Sequence, residues 1–170
     1  MDDIAHLISA FGSPDRPRHA AWKLDILMDL GRFDGPRVVA FYAMVVADDE
    51  EPPEVRADAL RRLREASMMQ TERVSAAEAG LRALAAGTDP ALRLHAALAL
   101  GDFVEVPAVL AALGRLAADE DEPIDLRYNA FTSLQRAGPS AACREILRAL
   151  TADEALGQSA TTLLAVWEGR

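Results

Sequence analysis

An arginine with an alanine three residues after it, set just behind a proline-bearing turn, recurs along this 170-residue chain. The copies are Arg18/Ala21, Arg56/Ala59, Arg93/Ala96 and Arg127/Ala130. Three of them carry an aliphatic residue directly before the arginine (Val55, Leu92, Leu126) and a leucine seven residues after it (Leu63, Leu100, Leu134). A fifth copy keeps Leu156, Ala160 and Leu164 at the same offsets but has Gly157 where the arginine would stand. From Arg18 through Arg56, Arg93 and Arg127 to Gly157 the steps are 38, 37, 34 and 30 residues. Self-similarity at this period indicates a repeat architecture, in which each two-helix unit buries its apolar face against its neighbours. The residue before the arginine and those three and seven after it share one helical face, so the motif predicts a buried aliphatic–Ala–Leu stripe. The arginine stands beside that stripe, where its stem can pack while the guanidinium reaches carbonyl or acidic groups on adjacent turns.

The punctuation agrees with a helical reading. The chain has 34 Ala and 22 Leu against 10 Val and 5 Ile, favouring helix over strand. Eight of the nine prolines (all but Pro17) stand just before Ala/Leu-rich stretches, where a missing N–H costs little. Gly12, Gly31, Gly35, Gly87, Gly101 and Gly138 fall near the ends of apolar runs and are expected as left-handed C-caps. The predicted fold is all-α. It is a single domain over 1–170, a short α-α superhelix of five helix pairs near 3–30, 36–67, 71–101, 104–136 and 139–168.

The stretch Thr88-Asp89-Pro90-Ala91-Leu92-Arg93-Leu94-His95-Ala96-Ala97-Leu98-Ala99-Leu100-Gly101 resembles the second half of a HEAT repeat, in the HEAT-like variety of phycobilisome lyase-type repeats. The resemblance covers nearly the whole chain. It departs at the ends, where Pro17 replaces the aliphatic residue, Asp25 the leucine and Gly157 the arginine. It implies a solenoid whose second helices line a concave binding face. One enzyme branch of HEAT-like proteins, deoxyhypusine hydroxylase, holds iron with His-Glu dipeptides. This chain contains none, so that activity is not carried over.

Convergent chemistry is sparse. His6, His19 and His95 are the only histidines, and His19 and His95 would sit two layers apart, too far to share a metal. Cys143, the single cysteine, lies in an Ala-rich helix and reads as a small buried or half-buried thiol. No phosphate loop, nucleophile elbow or metalloprotease histidine pair occurs. The expectation is therefore no enzyme activity, no catalytic or metal-binding residues and no cofactor. A net charge of −9 and a pI near 4.8 argue against nucleic acid, and the one basic cluster, Arg61-Arg62-x-Arg64, is surrounded by acids. The longest apolar run, Val38 to Ala47, is too short to span a bilayer, and no basic leader precedes it; a cytoplasmic protein is expected.

What remains is recognition of a protein. In a HEAT-like array the acidic turns Asp48, Asp49, Glu50 and Glu51; Asp89; Asp119, Glu120, Asp121 and Glu122; and Asp153 and Glu154 would align as one negative ridge able to steer a basic partner. The outward positions of the second helices nominate Lys23, Asp58, Arg61, Glu65, His95, Asp102, Asn129, Thr132 and Arg136, with Tyr128 nearby. Arg18, Arg56, Arg93 and Arg127 are read as structural. The expected function is a non-enzymatic interaction scaffold, for example one neutralising a basic toxin. The alternative is a lyase-like protein handling a bilin or other tetrapyrrole. Ile4, Leu7, Ile8 and Phe11 in the terminal helix are candidates for a homodimer contact.

Overall fold

A computed structural model describes residues 3–13, 20–85 and 87–169. Arg18, with Pro17 and His19, lies outside them, while Ala21 of that copy of the motif falls inside. The described residues form ten α-helices and no strand. In chain order these are α1 (Asp3–Phe11), α2 (Ala20–Leu30), α3 (Pro36–Ala47), α4 (Pro53–Glu65), α5 (Gln70–Leu84), α6 (Pro90–Ala99), α7 (Pro107–Ala118), α8 (Ile124–Ala137), α9 (Ala141–Leu150) and α10 (Gly157–Trp167). A short 3-10 turn, Leu100–Asp102, follows α6. Pro36, Pro53, Pro90 and Pro107 open their helices, where the fixed φ is already helical and no bonded N–H is lost.

The contacts divide the chain into two compact units, Met1–Ala96 and Ala97–Arg170, with the division inside α6. In the first unit α1 packs on α2, α3 on α4 and α5, and α2 on α4. In the second, α7 packs on α8 and α9, α9 on α10, and α8 on the 3-10 turn. Within each unit, then, sequential helices pair, and alternate helices also touch.

The predicted stripe is the core of these contacts. Val55, Ala59 and Leu63, then Leu92, Ala96 and Leu100, then Leu126, Ala130 and Leu134, and finally Leu156, Ala160 and Leu164 are all buried. Alanine at the middle position leaves no long side chain to hold a neighbour away, which is why the helices can close on it.

Of the glycines expected as left-handed C-caps, Gly12, Gly31 and Gly101 are not left-handed, and Gly35 is left-handed but precedes α3 as its N-cap. Gly35, Gly87 and Gly138 have φ of 124°, 86° and 85°, and Gly138 caps α8 as expected. Gly101 is not left-handed; it is a close-approach site. A Cβ there would lie 2.7 Å from Ser133 Oγ and 3.1 Å from Ser133 Cα. The fully buried Ser133 hydroxyl donates to the Ala97 carbonyl at 2.7 Å, so α8 is drawn onto the end of α6 at this point. Gly101→Ala is expected to lower stability by about 1–3 kcal/mol through overpacking, read as a lower urea midpoint at unchanged slope.

Candidate functional site

The repeat arginines do one job three times. Arg56 Nε donates to the Val46 carbonyl at 2.9 Å, Arg93 Nε to Leu84 at 3.0 Å and Arg127 Nε to Ala117 at 3.0 Å. Each acceptor is the last or penultimate residue of the preceding helix, whose final carbonyls have no partner within that helix. Each arginine also stands nine residues after that helix ends, at Ala47, Leu84 and Ala118. The motif is thus a C-cap delivered by the following helix, with the guanidinium lodged between the two helices of a hairpin.

The turns themselves are organised by their acids. Asp48 accepts from the Glu50 N–H at 3.0 Å and Asp119 from the Asp121 N–H at 3.1 Å, the same Asx turn in two copies. Asp89 Oδ1 accepts from the Leu92 N–H at 3.0 Å, while Asp153 Oδ1 accepts from Ala155 at 2.9 Å and Leu156 at 2.8 Å. Asp89 thereby caps the first turn of α6, and Asp153 closes the turn that leads into α10. Arg127 Nη2 additionally pairs with Asp153, joining the α7–α8 hairpin to the turn that follows α9. The Leu156 N–H, then Arg127 and the Ala155 N–H, hold the Asp153 carboxyl below the ordinary value near 3.8, against the opposing effect of burial.

Two members of the expected ridge are therefore not surface charges. Asp153 is buried with Arg127, and Glu51 is largely buried with Lys23, whose Nζ lies 2.6 Å from Glu51 Oε2. Lys23 itself, expected on an outward face, is buried. Its ammonium also stands 4.5 Å from the centre of the Phe11 ring, so α1 and the α3–α4 turn enclose it. A long side chain with a carboxylate partner 28 residues away is free to turn inward, which helix periodicity alone does not register. The remaining ridge residues Asp48, Asp49, Glu50, Asp89, Asp119, Glu120, Asp121 and Glu154 are exposed, and Glu122 is half-buried.

On the second helices, Arg61, Glu65, His95, Tyr128, Thr132 and Arg136 are exposed, while Asp58, Asp102 and Asn129 are half-buried. Asp58 is held by two neighbours, Arg61 and Arg62, the latter at 2.6 Å, and Arg61 also reaches Glu65 at 3.3 Å. Arg136 pairs with Asp102 and donates to the Leu98 carbonyl at 3.3 Å. Tyr128 and Thr132 meet Phe131, Gln158, Thr162 and Val166 along a groove of about 500 Å³ between α8 and α10. No motif marks α10 for this groove, because its Gln and Thr residues follow no recurring spacing. Ile4, Leu7 and Ile8 are half-buried and Phe11 is buried against Phe41, with ring centroids 5.1 Å apart. Cys143 is buried, with its N–H capped by Ser140.

Among the described residues no group of three or more His, Cys, Asp or Glu side chains is placed to hold a metal ion. No helix there is long and apolar enough to cross a membrane. Compared with models of known protein families, the chain matches none. Compared with curated proteins, it again has no match.

Proposed function

We propose that this chain is a non-enzymatic, HEAT-like binding module that presents acidic hairpin turns and the faces of its second helices to a basic protein partner. Each unit is read as a short stack of helix pairs, supported by the alternate contacts α3 with α5, α2 with α4 and α7 with α9. The observation that carries the functional reading is a sorting of charge. Arg127 and Lys23 are buried in internal ion pairs with Asp153 and Glu51, and Arg56 is buried beside Asp49, whereas Asp48, Asp119, Glu120, Asp121 and Glu154 stay exposed on the turns. The net charge of −9 is thereby weighted toward the turns, the arrangement that accelerates encounter with a cationic surface.

The test begins with the immobilised protein and cell lysate, eluted along a salt gradient to obtain the partner. Reversing Asp119, Glu120 and Asp121 to Lys is then expected to slow association with that partner by about tenfold or more at low salt. The difference should vanish at high salt, where the Debye length is about 3 Å. An unchanged association rate at low salt would sink the reading. The groove between α8 and α10, with Phe131 and Val166 along it, favours tetrapyrrole handling as a second reading. Its signature is an absorbance change when bilin is added.

A further inference from the structure

Arg56 and Arg127 are equivalent by motif and by their Nε bonds, yet their remaining N–H groups differ. Arg127 Nη2 reaches Asp153 in the turn after the next helix. The counterpart of Asp153 for Arg56 is Asp89: each aspartate stands four residues before a repeat-arginine position, Arg93 or Gly157, and the Oδ1 of each accepts from the backbone N–H three residues on, Leu92 or Leu156. Arg56 and Asp89 do not pair. Both line an open cleft of about 630 Å³ between the α3–α4 and α5–α6 turns, in the size range of small-molecule sites.

Arg56, which lines the cleft, carries an unmet hydrogen-bonding group. The Arg56 side chain is 6% exposed, and its Nη2 is buried with no hydrogen bond. Asp49 Oδ1 lies 2.9 Å away but off the bonding direction, and the Asp49 side chain is 85% exposed, so another carboxylate can take its place. A buried N–H without an acceptor is costly, and an incoming acceptor removes that cost. Arg82 of α5 also lines the cleft, is exposed and, among the described residues, has no ion pair. Opposite charges face these guanidinium groups: Asp49 and Asp89 contribute two carboxylates, while Glu51 is already matched by Lys23. A simple anion would meet Asp49 and Asp89, and a simple cation would meet Arg82. A molecule carrying both charges satisfies both sides.

We infer that this cleft binds a small zwitterion of the amino-acid class, its carboxylate on Arg56 and Arg82 and its ammonium on Asp89 and Asp49. The test titrates the full chain calorimetrically with glycine, 4-aminobutyrate and 6-aminohexanoate, zwitterions of increasing charge separation. Butyrate and butylamine are the singly charged controls. At least one zwitterion should bind saturably with a Kd below about 1 mM, and both controls at least tenfold more weakly. Arg82→Gln and Asp89→Asn should each weaken binding at least tenfold. Asparagine caps a helix as well as aspartate does, so the second variant removes the charge and keeps the fold, as an unchanged melting temperature will verify. Saturable binding by none of the three zwitterions overturns the inference. So does equal binding of butyrate or butylamine, or unchanged affinity in both variants.

Discussion

Replacing Arg127 with alanine is expected to destabilise the second unit by about 3–5 kcal/mol, among the largest effects of any single substitution in the chain. Three losses coincide. The Ala117 carbonyl loses its 3.0 Å donor at the end of α7, and Asp153 keeps its charge in a buried place without its cation. The packed arginine stem leaves a void between α7 and α8. For a chain of this size the change corresponds to a fall of about 6–20 °C in melting temperature. Arg127→Met, which refills the volume but not the charge, should recover only part of it. The pairing has a pH signature as well. The Asp153 carboxyl titrates below its ordinary value, so its contribution is complete above about pH 4 and is lost as pH falls through the lowered folded value. Asp153→Asn should therefore be less stable than the wild type at neutral pH and converge with it in acid. Parallel acid-unfolding curves for the two proteins would refute the assignment.

The second large effect runs against repeat logic. Gly157 occupies the arginine position of the fifth copy, and restoring the consensus with Gly157→Arg is the change a repeat designer would choose. It is expected to be strongly destabilising. In the three internal hairpins nine residues separate the helix end from the arginine, but α9 ends at Leu150, only seven residues before Gly157. The shorter connection brings the end of α9 directly against the start of α10. A Cβ on Gly157 would lie 2.6 Å from the Thr151 carbonyl oxygen and 3.1 Å from its carbon, both backbone atoms that cannot swing aside. Gly157→Ala alone should cost about 1–3 kcal/mol by overpacking, and arginine more, because it adds a long side chain to the same close contact. A chemical-denaturation series over Gly, Ala and Arg at this position tests the ordering. If arginine proved the most stable of the three, the hairpin geometry described here would be wrong.

These two positions show how far the sequence could be read. The arginine–alanine motif, the proline-opened helices and the buried stripe of Val55, Ala59 and Leu63 were legible because each depends on spacing within one helix. The glycine at 157 was visible as a departure, but its reason was not. That reason is a two-residue difference in turn length, which acts only when two helix ends meet. Gly101 differs from the left-handed cap its spacing predicts for a similar cause: what requires glycine there is Ser133, 32 residues away.

The same division runs through the candidate surfaces. Composition and charge determined that the turns are acidic and that the chain is helical, since both follow from residue type and local periodicity. Only the tertiary structure decided which carboxylates stay outside. Glu51 and Asp153 are drawn inward because Lys23 and Arg127, 28 and 26 residues away, are close enough in space to neutralise them, while Asp119, Glu120 and Asp121 meet water. An ion pair depends on distance and burial, and neither quantity is written in the order of the residues.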